Sequence, residues 1–487
     1  MEKIRVAIDP QLLPAFGHQM HWALRQLISG CGWAWEEVPP EVESDLALLI
    51  SPEKTKARLA IRADVAAWGN LAKELREVQE TDGLDILVYA EDSQTETNFL
   101  TCQNTACVCT KDLIYDYFWL VTGQQEKKFR RDNKGFVDLG GTVFEDGTIL
   151  RQALASRIGN WLQQRLIQAG CPQPLPRWPN GKKAAVFSGH DVDYPEIIRF
   201  LEPVRVVLRQ GFKGLSPAFQ IANGKRHHWH FPSWVKLEKF YGFCSAFYFV
   251  PRQGSLIEYA TGTPDPFYDI SSLKFAALFK YLADEGYEIG LHASYLAYQG
   301  YEKLAAEKER LEKASNQSVI GNRHHYWHLN SQDPEETLSF HEKAGLLYDS
   351  SLVNDRYVGW RRHSSWPFFP YNQTTKTEIV TLQMSVVWMD DQLFGFKGYN
   401  PGENMALLTD LVENIVEQSG CLGIDIHDYV FDERLHPGWR NLYQQFLAYL
   451  HQRSDIWFAL PRDVYQHWSN RYQSILKHSQ GLHLGLV

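Results

Sequence analysis

The chain has 487 residues, a formal net charge of −9 and a pI of about 6.1. That length exceeds one ordinary domain and allows a sizeable core, while the acidic balance argues against nucleic acid, which asks for a basic face. No apolar stretch approaches the roughly 20 residues that span a bilayer, so the expected partners are small or neutral molecules, with no nucleic acid and no membrane span. Met1 to Arg5 leads straight into a strand-like Val6-Ala7-Ile8 with no secretory apolar region, which reads as cytoplasmic. Seven scattered cysteines suit reduced thiols better than a disulfide framework. Sixteen Trp and twenty-three Tyr permit stacking on sugar rings, although core packing explains most of them.

In chain order, strand-like runs at Lys3 to Ile8, Asp45 to Ile50 and Leu84 to Tyr89 alternate with helical patterns at His18 to Leu27 and Asp112 to Val121. This part is α/β in character. Cys102, Cys107 and Cys109 cluster but lack the paired Cys-x-x-Cys of a structural zinc site. A polar, glycine-containing stretch from Asn133 to Asp146 precedes a helix near Gln152 to Ile167. Four prolines between Cys171 and Pro179 then break regular structure. The break divides the chain into an amino-terminal α/β accessory domain, 1–170, and a second domain, 180–487.

The second part predicts strands at Ala184 to Phe187, Ser245 to Val250, Tyr287 to Leu291, Ser318 to Gly321, Ile379 to Gln383, Leu422 to Ile426 and Ile456 to Leu460. Helical stretches at Tyr301 to Ala314, Pro334 to Ala344, Leu407 to Gln418 and Asn441 to His451 lie between them. About seven such units imply a closed or nearly closed β/α barrel.

Polar residues recur at the strand ends. Asp191 and Asp193 follow the first strand, and carboxylates crowded in this way bind a cation or share a proton. Later strands deliver His292, then Arg323, His324, His325 and Tyr326, then His427 and Asp428. Two further groups read as local features: His227-His228-Trp229-His230 as a solvated loop or a segment lying over the barrel mouth, and Trp360-Arg361-Arg362-His363 as a surface ion-pair network or a contact for an anionic sugar.

Asp191-Val192-Asp193, Glu288-Ile289-Gly290-Leu291-His292, Arg323-His324-His325-Tyr326 and Ile424-Asp425-Ile426-His427 occur in the order that resembles the polysaccharide deacetylases of carbohydrate esterase family four. The resemblance is greatest to a bacterial subgroup with His-Asp-Val-Asp, Glu-Ile-Gly-Leu-His-x-Ser-Tyr and Gly-x-Arg-x-His-Tyr motifs. Residues 344–351, Gly359-Trp360-Arg361 and Met389-Asp390 extend it, as does the segment from Asp112 to Thr122 in the amino-terminal part.

The resemblance implies a distorted (β/α)7-type barrel that hydrolyses an N-acetyl or related amide with one divalent metal, usually zinc. By position, Asp191 resembles the general base, Asp193 and His292 the metal ligands, and Arg323 the arginine that orients the base. The backbone N–H of Tyr326 resembles the oxyanion donor and His427 the general acid. One departure stands out, because Leu296 occupies the place of the family's second metal-binding histidine. His325, Ser294 with water, or no stable metal are the alternatives. Two other functions compete: a catalytically inactive glycan-binding or scaffold protein, and a hydrolase of a non-sugar C–N bond as in allantoinase-like relatives.

Overall fold

The computed structural model describes residues 2–92, 99–103, 106–132, 135–197, 199, 201–394 and 400–482. In the amino-terminal part a six-stranded sheet runs in the order Ala34–Val38, Lys3–Ile8, Ser44–Leu49, Ala57–Arg62, Ala106–Cys109 and Leu100–Gln103. Its strands are parallel except for the last pair, which is antiparallel. The helix Leu13–Cys31 starts with a proline in its first turn and stops at Gly32, whose φ of 109° only glycine adopts readily. Asp112 caps Leu113–Val121 by accepting from the Tyr115 N–H at 2.9 Å.

The second sheet has nine parallel strands. Eight follow the order Leu382–Gln383, Tyr348–Asp349, Gly321–His324, Glu288–Ala293, Ala246–Phe249, Ala184–Val192, Cys421–Asp425, Val386–Met389, and Ile456–Phe458 pairs with the start of Ala184–Val192. The two edge strands do not pair, yet only Met384 and Ser385 separate them in sequence, so the sheet curls into a barrel left open at one seam. All of Ala184–Val192, Glu288–Ala293, Gly321–His324 and Cys421–Asp425 are buried, as expected when helices cover the outside and side chains fill the inside.

Tyr248 fills the barrel centre because two neighbours have no side chain. A Cβ at Gly189 or Gly290 would come within 2.6 or 2.4 Å of its ring. Tyr248 Oη lies 3.1 Å from Tyr348 Oη, which donates to Glu288 Oε1 at 2.8 Å, and Arg462 N donates to Glu288 Oε2 at 2.9 Å. Burial pushes the Glu288 carboxyl up to about 7 against the pull of those two donors. A carboxyl raised in the folded state stabilises fully below its unfolded value of 4.5, and that contribution is lost as pH rises through 7. Urea unfolding should therefore show wild type losing about 3 kcal/mol relative to Glu288→Gln between pH 4.5 and 8; a pH-independent difference would remove Glu288 from this role.

The two parts meet through specific contacts. The Trp366 ring sits in a notch between two helices, where a Cβ at Gly30 or Gly159 would approach it to 2.7 or 2.3 Å. Glu126 accepts from Arg361 Nε and Nη2 at 3.1 and 2.8 Å, and Arg362 Nη2 donates to Glu335 at 3.1 Å. Burial would raise the Glu126 carboxyl, but Arg361 and Arg362 hold it down at about 2. The 360–363 group is therefore a buried network, since Arg362 is only 2 % exposed. The His227–His230 group is likewise more than a solvated loop: His228 is buried and its Nδ1 donates to the Tyr194 carbonyl at 2.8 Å. Cys102 lies directly opposite Cys107 in the antiparallel pair and the two form a disulfide, so reduced thiols describe only the remaining cysteines. Among the described residues, no helix is long and apolar enough to cross a membrane.

Candidate active site and metal centre

The residues singled out in the sequence converge at the carboxyl end of the barrel strands, where loops of such sheets meet a ligand. Asp191 and Asp193 end the Ala184–Val192 strand, His292 lies in Glu288–Ala293, Arg323 in Gly321–His324, and His427 follows Cys421–Asp425. Asp191, Asp193, His292, His325, Tyr326 and His427 all line one cavity of ≈ 280 Å³. Its outer wall includes Asp132 and Phe136 from the amino-terminal part, together with Asp355, Arg356 and Tyr429.

Asp193, His292 and His325 form a group that could hold a metal ion, since one ligand atom from each lies within 4.8 Å of the others. Asp193 Oδ1 is 3.3 Å from His292 Nε2 and 3.5 Å from His325 Nε2. Donors about 2.0–2.1 Å from a tetrahedral ion stand about 3.3 Å apart, so the spacing fits. Asp193 Oδ1 and His325 Nε2 are buried and have no hydrogen-bond partner, which is costly unless something else takes their lone pairs. Both imidazoles are also pre-set for ligation. His292 Nδ1 donates to the Arg323 carbonyl at 2.7 Å and His325 Nδ1 to Asp265 Oδ1 at 3.3 Å, which aims each Nε2 at Asp193. Burial would lower the His325 imidazole, but Asp193 and Asp265 push it up to about 9, so its Nε2 gives up a proton when a metal ion binds. Burial alone would raise the Asp193 carboxyl, but His325 and His292 hold it well below the usual range.

Ser294 is otherwise engaged, because both its N–H (2.8 Å) and its hydroxyl bond to Glu307. Leu296 lies in the turn after the strand and is not in the donor group.

Arg323 is fully buried and organises the carboxylates. Its Nη1 donates to Asp191 at 2.8 Å and to Asp425 at 2.9 Å, its Nε donates to Ser350 Oγ at 3.1 Å, and its guanidinium lies 4.4 Å above the Tyr248 ring. Asp191 Oδ2 faces His292 Nε2 at 3.5 Å. Burial and the neighbouring Asp191 push Asp425 well above the carboxylate range despite Arg323.

His427 is held by Asp390, whose Oδ1 accepts from Nδ1 and whose Oδ2 accepts from the backbone N–H, both at 2.8 Å. That fixes the tautomer and leaves Nε2 facing Asp193 at 3.6 Å. Burial would lower the imidazole, yet Asp390 and Asp425 raise it well above its ordinary value. Tyr326 and Trp327 adopt φ of 57° and 52°, a left-handed turn that costs of order 1–3 kcal/mol per residue and recurs at functional sites.

Reasoning from sequence gave no role to Asp265, Asp425 or Ser350, and Asp390 entered only as part of a matching pair. Their partners lie 27 to 102 positions away, so no local spacing reveals them. His190, prominent in the motif, proves structural: its ring nitrogens face the Ile426 carbonyl at 3.0 Å and Glu238 at 2.9 Å, and it is wholly buried.

No family model matches the sequence, and no curated protein matches it. Solved structures similar to it include a protein described as a polysaccharide deacetylase from Pseudomonas aeruginosa PAO1, at 18% identity and a TM-score of 0.42 over 62% of this chain and 96% of that one. Another, described as a polysaccharide deacetylase from Mycobacterium smegmatis, has 17% identity and a TM-score of 0.40 over 60% of this chain and 93% of that one. An allantoinase has 17% identity and a TM-score of 0.41 over 62% and 95%. These likenesses concern the fold, and they carry no activity over to this chain.

Proposed function

We propose that the protein is a metal-dependent hydrolase that removes an acetyl or similar acyl group from an N-acetylated saccharide or saccharide conjugate in the cytoplasm. Residues 180–487 act as the catalytic barrel and 1–170 as its accessory domain. The observation that carries this reading is the pairing of a buried Asp193–His292–His325 donor set, in which Asp193 Oδ1 and His325 Nε2 have no hydrogen-bond partner, with a base-like and an acid-like residue in the same cavity.

In this reading Asp193, His292 and His325 hold a divalent cation, most simply zinc. When bound, such an ion polarises an acyl oxygen and acidifies water beside it. Asp191 takes the proton of the attacking water through Oδ2 while Arg323 keeps Oδ1 fixed. The Tyr326 N–H, set by its left-handed turn, serves the developing oxyanion, a contact worth on the order of a hundredfold in rate. His427, aimed by Asp390, hands its Nε2 proton to the departing amine. The same atoms suit hydrolysis of a non-sugar amide. An inactive scaffold is disfavoured, because binding alone gives no reason to bury the Asp191–Arg323 pair beside a tethered imidazole.

The deciding measurement is bound metal by elemental analysis. Wild type should carry about one equivalent, and Asp193→Ala none. His325→Ala should weaken affinity as much as His292→Ala; equal metal content in wild type and His325→Ala would sink the three-ligand assignment. Asp265→Ala should weaken it by about 10–100-fold, because Asp265 only orients His325, and unchanged chelator competition would refute that role. Wild type that takes up no zinc, cobalt or nickel would end the hydrolase reading.

A further inference from the structure

Between the Ala184–Val192 and Ala246–Phe249 strands, at the barrel end that carries Asp191 and Asp193, the chain inserts a helical hairpin. Its helices, Glu202–Gln210 and Leu215–Ala222, are joined by the turn Gly211–Gly214. Val206 and Ile221 on one face pack with Leu435, and Gln210 Nε2 donates to the Arg434 and Leu435 carbonyls at 3.2 Å. These contacts fix the hairpin to the loop after the Cys421–Asp425 strand.

The opposite face is apolar and uncovered. Val204 and Leu208 lie one turn apart on the first helix, Phe212 in the connecting turn, and Leu215 and Phe219 one turn apart on the second helix. They are 57, 80, 93, 54 and 71 % exposed. Single exposed apolar residues are ordinary, but a contiguous stripe marks an interaction surface. The next loop at this barrel end adds Leu256 and Ile257, also exposed.

Charge says what covers the stripe. Residues 195–230 hold six Lys or Arg against two Glu in a chain of net charge −9. Arg226 is tied to Asp432, whereas Lys213 and Lys225 are exposed. A second copy docked face to face would oppose two such basic segments. An anionic lipid surface, by contrast, attracts the lysines and accepts Phe and Leu at its acyl boundary.

We infer that this hairpin docks the protein on an anionic phospholipid surface, with Leu208, Phe212 and Phe219 inserted and Lys213 and Lys225 at the headgroups. The cavity mouth is then held at the membrane, since the same insertion carries Tyr194, which lines the cavity. The inference concerns where the protein sits and stands independently of the catalytic reading.

Co-sedimentation of the full chain with vesicles tests it. Wild type should bind phosphatidylcholine vesicles containing phosphatidylglycerol and not phosphatidylcholine alone, with binding lost at high salt. The Lys213→Glu/Lys225→Glu variant should lose about 30-fold in affinity for the anionic vesicles or more. Leu208→Ser/Phe212→Ser should abolish binding while its thermal melt and bound metal match wild type; if it fails to fold, the lysine variant alone decides. Wild type that ignores anionic vesicles, variants that bind as wild type does, or an oligomer that the serine variant dissolves would each overturn the proposal, the last by making the stripe a protein interface.

Discussion

For the hydrolase proposed above, Asp191→Asn is expected to lower kcat by about 10²–10⁴-fold while bound metal stays at the wild-type level. Asparagine has nearly the same volume, and its amide oxygen can still accept from Arg323 Nη1, as Asp191 Oδ1 does at 2.8 Å. It cannot take a proton. Asp191 is absent from the Asp193–His292–His325 donor group, although with Asp425 and His427 it forms a second buried group that could hold a metal, so the metal content of the variant separates base from ligand. Turnover by the variant at the wild-type rate would displace Asp191 as base. Loss of metal together with turnover would make it a ligand instead.

Arg323→Met should have the largest effect on stability. The guanidinium is fully buried and stands between Asp191 and Asp425 at 2.8 and 2.9 Å. Removing it leaves two buried carboxylates facing each other, and breaking a buried pair of this kind costs about 3–5 kcal/mol. The loss should shrink as pH falls, because protonating either carboxylate relieves the repulsion and Asp425 is already pushed upward by burial and by Asp191. Asp425→Asn added to Arg323→Met should recover part of the loss for the same reason. Urea unfolding at pH 5 and pH 8 reads both effects. A loss below about 1 kcal/mol at pH 8 would mean that the carboxylates are neutralised by another group.

Legibility in the sequence followed hydrophobicity and failed where strands carry chemistry. Lys3–Ile8 and Leu84–Tyr89 form at the expected residues because their patterns are apolar. The strand expected at Ala184 to Phe187 runs on to Val192, since the barrel interior accepts Ser188, His190 and Asp191 when each finds a polar partner. The strand expected at Ser318 to Gly321 is instead Gly321–His324, made of Gly-Asn-Arg-His, whose polar run gives no strand signal. Val386–Met389 was hidden by its closeness to the expected Ile379 to Gln383, which breaks into short pieces around the open seam. Within the site, the motif residues were legible because each brings a titratable group to a strand end. Asp265 was not, being one aspartate between prolines whose purpose depends on His325, 60 positions later.

The Trp366 notch and the Glu126 ion network bear on how the molecule can be handled. Cutting the gene after the proline-rich break would uncover the Trp366 ring that fits against Gly30 and Gly159. It would also strip Arg361 of Glu126 and leave Arg362 with Glu335 alone. The barrel half would then expose a large aromatic surface beside surplus positive charge, a combination that invites aggregation. Grafting a different leading segment onto this barrel would require small residues at both notch positions and an acid at the place of Glu126. The two halves are therefore constrained to change together, and neither is a cassette that can be exchanged at will.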